Sequence, residues 1–271
     1  MIDLGLKAST SASQIKDRLQ YHPDVFEFFT DENDFTTEGL KRLAYDIEWV
    51  KSEATDKIVL HHPMKYRGTA TEIIAPERRC PSLYAFVEQS ALDLLQLADD
   101  HEVQVLIHGA YARQTQHFIE MYASFAEAEA AAFARLDHFQ ELGGRHVMFE
   151  NSISQLFAYG LPADEEKIKE HHYRLAFDTS HCFIKVKGNN NALMTSLNNL
   201  KDQIVHYHLV DSLGQKHDSL PVGQGHINWQ EVVPLLNPQA TNIFEIQLAN
   251  EDDAAEQVAS YQYLKEMGKL P

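Results

Sequence analysis

Cysteines, basic residues and long apolar runs are all scarce in this chain of 271 residues. Its two cysteines, Cys80 and Cys182, are too few for a disulfide framework and are typical of a reducing compartment. No window approaches the roughly 20 consecutive apolar residues of a membrane helix, and the N-terminal MIDLGLKAST lacks the features of a secretory signal. These absences predict a soluble, cytoplasmic protein.

The charge is strongly one-sided, with 23 Lys and Arg against 40 Asp and Glu and a formal net charge of −17. Duplex DNA carries one phosphate charge per about 1.7 Å, so a protein that binds it needs a basic strip. The sequence contains no such strip. We therefore expect no nucleic-acid substrate and, with no membrane helix predicted, no membrane partner, and leave open whether chains associate as a homo-oligomer.

Short apolar runs alternate with longer segments of helical period, a pattern typical of βα units around a parallel sheet. The predicted strands are residues 2–6, 25–29, 57–61, 103–108, 146–150, 174–178, 204–209 and 242–246. The predicted helices are approximately residues 35–53, 83–100, 114–142, 163–171, 191–202, 229–236 and 252–267.

This order predicts an α/β fold that closes as a (β/α)₈ TIM barrel, since eight strands alternate with helices. No Pro/Gly/Ser linker or low-complexity run divides the chain, so we expect one domain over residues 1–271. The long polar connection 62–82 is expected to form a loop over the active-site face.

Side chains that can bind metal stand at or near the ends of six predicted strands, where TIM barrels carry their catalytic groups. They are His61, His108, Glu150, Asp178, His181, His208 and Glu245. Imidazole and carboxylate together suit Zn²⁺, Mn²⁺, Fe²⁺ or Co²⁺, and the lack of cysteine ligands argues against a closed structural zinc site. We expect a catalytic divalent metal, Zn²⁺ or Mn²⁺, and no organic cofactor.

Taken singly, each of these residues has an ordinary structural explanation. A strand-end histidine is more often a hydrogen-bonded loop residue than a ligand, and a buried glutamate is more often an ion-pair partner. The set is harder to explain in this way, because unpaired glutamates in the apolar surroundings of VMFEN and IFEIQ are costly without a nearby cation.

Seven short motifs give the sequence a resemblance to a known family. They are VLHHP (59–63), IHG (107–109), FENS (149–152), FDTSH (177–181), HLVDS (208–212), PVGQG (221–225) and FEI (244–246). Over nearly the whole chain, their order and spacing resemble the xylose isomerase-like TIM barrels, a superfamily that includes the family 2 AP endonucleases and the sugar phosphate isomerases and epimerases.

The resemblance implies roles for these residues. Glu150, Asp178, His208 and Glu245 match the four metal ligands of the sugar-epimerase branch. His61, His108 and His181 match further ligands of the endonuclease branch. In the epimerase branch Glu150 and Glu245 also serve as the acid/base pair that moves a proton through an enediolate.

The sequence departs from the endonuclease pattern before the Gly-x-Gly. An Asp-x-His would complete a third metal position there, whereas this chain has His217 and Ser219, with Asp218 between them. Either His217 or Asp218 is an alternative ligand, and the expected number of ions is therefore one to three.

Further residues near the strand ends have two interpretations each. His62 is an alternative to its neighbour His61 as a ligand or contacts substrate, and His181 is either a ligand or a substrate contact. His206 lies two residues before His208 and is expected to orient a ligand through its ring N–H. Asp211 either fixes its loop or orients a ligand.

Three residues are weaker candidates for substrate contact. Lys7 and Arg113 lie near predicted strand ends, where a cation would suit a sugar phosphate, although each is also typical of a solvated side chain. Trp229 follows the Gly-x-Gly and either begins a helix that packs on the barrel or stacks on substrate.

The resemblance favours a metal-dependent isomerase or epimerase acting on a sugar, sugar phosphate or polyol. One alternative is a zinc-dependent phosphodiesterase like the AP endonucleases, which would explain His61, His108 and His181 but not the net charge of −17. Another is a metal-dependent dehydratase or lyase, which needs the same ion and a base. Fold alone does not decide among these reactions.

Overall fold

Eight parallel strands form a barrel in the computed structural model, which describes residues 2–111 and 114–267. The strands follow one another around the barrel in chain order. They are β1 (Gly5–Ala8), β2 (Val25–Phe29), β3 (Ile58–His61), β6 (Gln104–His108), β7 (Val147–Glu150), β8 (Leu175–Asp178), β9 (Ile204–His208) and β10 (Thr241–Ile243). The remaining two strands, β4 (Lys65–Tyr66) and β5 (Thr69–Ala70), form a small antiparallel hairpin inside the connection 62–82.

The helices surround the barrel, and they are α1 (Ala12–Leu19), α2 (Thr37–Glu53), α3 (Pro81–His101), α4 (Thr115–Ile119), α5 (Phe125–Gly143), α6 (Pro162–Glu170), α7 (Thr179–Lys185), α8 (Asn190–Leu200), α9 (Trp229–Val232) and α10 (Ala255–Met267). Short 3₁₀ helices cover Glu32–Phe35, Gly144–His146 and Val233–Leu235. The main apolar core lies between this outer layer and the strands. The predicted (β/α)₈ fold class is confirmed.

The strand register brings the functional side chains to one rim. Neighbouring strands pair Phe29 with His61, His108 with Glu150, and Asp178 with His208. Since paired residues of a parallel sheet lie at one level, the last residues of these strands stand side by side at the carboxyl end of the barrel.

The barrel closes where the last strand meets the first. The Phe244 N–H donates to the Gly5 carbonyl at 3.3 Å, and the Asp3 N–H donates to the Asn242 side-chain carbonyl at 2.9 Å. A Cβ atom at Gly5 would lie 1.8 Å from the Asn242 carbonyl oxygen. Only glycine therefore permits this approach of the two strands.

Several boundaries differ from those the sequence predicted. The first strand is residues 5–8 rather than 2–6, which places Lys7 within it, and the last ends at Ile243, two residues before Glu245. Helices α1 and α7 were not predicted, and the predicted helix 114–142 is two helices separated by a turn around residues 120–124. Within the described residues, no helix is long and apolar enough to cross a membrane.

Candidate metal centre

Four side chains at the barrel rim form a group with ligand atoms that all lie within 4.8 Å of one another: Glu150, Asp178, His208 and Glu245. His208 stands at its middle, with Nδ1 2.5 Å from Glu245 Oε2 and 3.3 Å from Glu150 Oε1. The four residues come from β7, β8, β9 and the segment after β10. This is the set that the resemblance to sugar epimerases implied.

A second group shares Glu150 and lies beside the first. His108 Nε2 is 3.1 Å and His61 Nε2 is 3.6 Å from Glu150 Oε2, while the other carboxylate oxygen faces His208. The His61 Nδ1 bonds the His62 carbonyl at 2.8 Å, so Nδ1 carries the proton and Nε2 presents its lone pair to Glu150. Glu150 therefore belongs to both groups and would contribute ligand atoms to a cation in either of them.

Buried polar atoms in these groups lack hydrogen-bond partners. They are both carboxylate oxygens of Glu150, Nε2 of His61, Nδ1 of His108 and Nδ1 of His208. Leaving such atoms without a hydrogen bond or a cation is costly, on the order of 1–3 kcal/mol each and more for a charged group. The donor set of imidazole nitrogens and carboxylate oxygens fits a divalent cation such as Zn²⁺ or Mn²⁺, which would satisfy several of these atoms together.

The charges of the side chains suit this interpretation. Burial lowers the pKa of His108 to about 3, so it is a neutral imidazole with a free lone pair. Burial alone would raise the pKa of Glu150, but His108 and His208 hold it well below the usual value, and Glu150 stays a carboxylate. In Glu245, Lys7 and His208 likewise outweigh burial and lower the carboxyl pKa.

Asp178 is tied to the start of α7. Its Oδ1 accepts from the His181 backbone N–H at 2.7 Å and from the Ser180 hydroxyl at 2.9 Å, which caps that helix. The other oxygen remains for a ligand role. Burial raises the pKa of this carboxyl, so a bound cation would also be what keeps it ionised.

His181 lies at the edge of the centre rather than within either group. Its Nδ1 donates to the Asn151 carbonyl at 2.9 Å, and its Nε2 faces Nε2 of His217 at 3.1 Å. His217 also contacts the Ser219 hydroxyl at 3.3 Å, whereas Asp218 accepts from the Leu213 N–H at 3.1 Å. His217 thus lies beside His181, whereas Asp218 forms a hydrogen bond within its own loop.

Three predicted residues have structural contacts instead. The ring of His62 points outward and hydrogen-bonds Ser90 of α3 at 2.8 Å, so His62 contacts the centre only through its carbonyl, which accepts from His61. The Trp229 indole N–H donates to Asp211 Oδ2 at 2.8 Å, and Asp211 also accepts from the backbone N–H groups of Gly223 and Ile227. Asp211 therefore connects groups of its own loop, and Trp229 is buried with its indole N–H held by that carboxylate. Arg113 lies outside the described residues.

Two interior residues complete the surroundings of the centre. Lys7 lies between two carboxylates, 3.2 Å from Glu27 Oε1 and ion-paired to Glu245. Glu27 also contacts His206 and His208, at 3.2 and 3.0 Å. Glu27 was not among the predicted site residues, although an acidic residue inside the apolar run VFEFF was a visible signal.

A cavity of about 340 Å³ opens beside Glu245 and Lys7. Its walls include the apolar side chains of Phe29, Ile246 and Leu248. This cavity gives a small molecule access to the exposed side of Glu245, which is 24% accessible, whereas Glu150 is fully buried.

The chain is similar to known proteins in part of its sequence and in its fold. Residues 165–267 match the family model described as the xylose isomerase-like TIM barrel. No curated protein sequence matches the chain.

Solved structures match over almost the whole chain. A D-tagatose 3-epimerase-like protein has a TM-score of 0.72 at 18% identity, covering 97% of each chain. The 3-keto-D-glucoside 4-epimerase of E. coli has a TM-score of 0.66 at 16% identity, over 96% of this chain and 98% of that one. Endonuclease IV of Thermus thermophilus has a TM-score of 0.59 at 16% identity, over 97% of this chain and 98% of that one.

At these identities the structural likeness establishes the fold and not the reaction. The family match nevertheless falls on the segment that carries Asp178, His208 and Glu245. The resemblance read from the seven motifs is confirmed by the family match over residues 165–267, and the similar solved structures show the TIM-barrel fold over almost the whole chain.

Proposed function

We propose that the protein is a divalent-metal-dependent isomerase or epimerase acting on a small carbohydrate. The observation that carries this proposal is the convergence of Glu150, Asp178, His208 and Glu245 beside an accessible cavity. The two glutamates suit proton transfer, and the aspartate and histidine complete a ligand set that leaves positions open for substrate oxygens. Epimerases among the similar structures support this direction.

A bound cation would supply Lewis-acid polarisation of a substrate carbonyl and stabilise negative charge on two adjacent substrate oxygens. The protein's own part is proton transfer. Glu245, an ionised carboxylate at the cavity wall, takes the proton from the carbon next to the carbonyl. Isomerisation is completed when Glu245 returns this proton to the neighbouring carbon. Epimerisation needs Glu150, on the other side of the centre, to deliver a proton to the opposite face, and Glu150 must therefore be protonated before that step. Lys7 holds Glu245 in place through their ion pair.

The charges near the cavity favour an uncharged substrate. Lys7 is the cation closest to the centre among the residues that line the cavity, and it is already paired with Glu27 and Glu245. Lys65, on the hairpin, is exposed to solvent. Among the described residues of the cavity wall, a phosphate would meet carboxylates and no free buried cation, so we propose an unphosphorylated ketose or polyol-derived ketone.

A phosphodiesterase of the AP endonuclease kind is the second candidate. The group of His61, His108 and Glu150 favours it, because a neighbouring cation position is useful for activating water against a phosphodiester. The net charge of −17 opposes binding of a polyanion. We rank this activity below the isomerase.

The test is metal analysis of protein purified without added metal, followed by two assays on the same sample. One is a panel of free and phosphorylated ketoses and aldoses, and the other is a labelled duplex with an abasic site. We expect metal-dependent conversion of a free sugar and no cleavage. Cleavage without sugar activity would replace the proposal with the second candidate, and failure to bind any divalent metal on titration would refute both.

A further inference from the structure

A polar network lies inside the barrel, one layer beneath the metal centre. On one side of this layer the interior is apolar, where Val59, Leu106, Met148 and Ala176 pack together. Each stands two residues before a rim side chain and so points to the same interior. On the other side the layer contains Glu27 and His206, both with no exposed surface. Two fully buried ionisable groups are costly for the fold unless neighbouring groups compensate for their loss of water.

Glu27 contacts three side chains from two other strands. Its Oε2 lies 3.0 Å from Nε2 of His208 and 3.2 Å from Nε2 of His206. Its Oε1 lies 3.2 Å from the ammonium of Lys7. The opposite nitrogen of His206 contacts the Thr241 hydroxyl at 2.6 Å, which fixes that ring from the far side.

The contact with His208 decides which nitrogen of that imidazole carries a proton. A carboxylate only accepts hydrogen bonds, so Nε2 of His208 must be the N–H that donates to Glu27. Nδ1 faces the carboxylates of Glu150 and Glu245, at 3.3 and 2.5 Å, so it is the nitrogen that would exchange its proton for a cation held between them. A neutral histidine binds a metal through the nitrogen that bears no proton.

Glu27 also reaches Glu245, the carboxylate at the cavity wall, through Lys7. Lys7 bridges Glu27 and Glu245, so one carboxylate holds the ligand ring directly and holds Glu245 through an ammonium. The same bridge speaks against a cation between Glu27, His206 and His208, although these three could supply ligand atoms. The ammonium of Lys7 already occupies the positive position against Glu27.

We propose that Glu27 is a positioning residue for the metal centre, holding His208 by Nε2 so that Nδ1 faces the cation position and, through Lys7, fixing Glu245. This inference rests on the proposed metal site. It makes the interior of β2, which contributes no ligand, a determinant of metal affinity. Carboxylates that orient a ligating histidine typically contribute 10- to 100-fold to metal affinity.

The first test compares metal affinity in two variants that each neutralise one buried carboxylate. Glu27→Gln keeps the shape of the side chain but can no longer act purely as an acceptor. The matched control is Glu165→Gln, because Glu165 is also buried but hydrogen-bonds Gly160, Ser196 and Asn199, none of which belongs to the metal centre. Zn²⁺ dissociation constants are measured by chelator competition, with thermal unfolding of the metal-free forms alongside.

We expect Glu27→Gln to weaken Zn²⁺ binding by about 10- to 100-fold and Glu165→Gln to change it by less than about twofold. Equal dissociation constants for wild type and Glu27→Gln would overturn the inference while leaving the proposed function intact. A wild-type protein that binds no divalent metal would overturn both.

A second measurement needs no variant and so does not depend on whether Glu27→Gln folds. In ¹⁵N-histidine-labelled, Zn²⁺-loaded wild type, NMR should show His208 protonated at Nε2 and coordinated through Nδ1. Coordination through Nε2 would overturn the inference. Metal analysis of His206→Gln adds a further check, since loss of one equivalent of metal would show that Glu27 and His206 are ligands themselves.

Discussion

Nδ1 of His208 lies 2.5 Å from a carboxylate oxygen of Glu245. The two residues come from β9 and the segment after β10, and the exposed part of Glu245 opens to the cavity. A group that contacts a ligand on one side and a substrate-sized space on the other is suited to couple metal binding with proton transfer. Changes at Glu245 and its neighbours should therefore affect both steps.

Replacing either proton-transfer glutamate should reduce turnover more than it reduces metal binding. Glu245→Gln and Glu150→Gln keep the side-chain volume but remove the basic oxygen, and a placed carboxylate contributes about 10²- to 10⁴-fold. We expect kcat to fall within that range, measured on whichever sugar the panel identifies, with metal content determined on the same samples. Near-normal kcat in a fully metal-loaded variant would exclude that glutamate from proton transfer.

Removing the Lys7 ammonium should destabilise the protein and impair the site together. Lys7→Met leaves Glu27 and Glu245 without their shared cation, and breaking a buried ion pair by removing one partner typically costs about 3–5 kcal/mol. We expect a loss of that order in the free energy of unfolding in urea, together with a lower kcat. A comparable change at exposed Lys41, which pairs with Glu38 on the surface, should have almost no effect.

The adjacent histidines His61 and His62 should behave differently. His61 presents Nε2 to Glu150, so His61→Gln should lower the metal content or affinity of the second group. His62 bonds Ser90 beneath α3, so His62→Gln should cost roughly 1–3 kcal/mol of stability and leave metal binding unchanged. Metal analysis and urea unfolding of the two variants separate these outcomes. A reversed pattern would show that the ring of His62, not His61, turns to the centre.

The sequence predicted the rim of the barrel better than its interior. His108, Glu150 and Asp178 each end an apolar strand, so their position at the rim can be predicted from the local sequence. Glu27 and Lys7 lie within strands, and every second side chain of these strands points into the barrel. Their contact with the centre therefore becomes apparent only once the barrel is closed. The first strand was misplaced because IDLGLKA is apolar enough at several registers, and the final register depends on the contact between Gly5 and Asn242. That contact joins residues at opposite ends of the chain.

Glu72 should give the stability of the protein a pH dependence unrelated to the metal groups. It lies in the connection 62–82, with no exposed surface, and accepts hydrogen bonds from the Tyr111 N–H and the Thr115 hydroxyl. Burial raises the pKa of its carboxyl from 4.5 to about 7. The folded protein therefore binds a proton more tightly than the unfolded chain, and Glu72 lowers stability as the pH rises from about 4.5 to 7.

The size of this effect can be isolated by difference. A pKa change of this order corresponds to about 3 kcal/mol between the ends of that pH range. The side chain introduced by Glu72→Gln cannot ionise. The free energy of unfolding of this variant minus that of wild type should therefore increase by up to about that amount from pH 5 to pH 8, since only wild type loses stability through this carboxyl over this range. Urea unfolding of both metal-free proteins at the two pH values gives the difference, in which titration of the metal-centre residues cancels. A difference that does not change with pH would show that Glu72 titrates in the folded protein as it does in the unfolded chain.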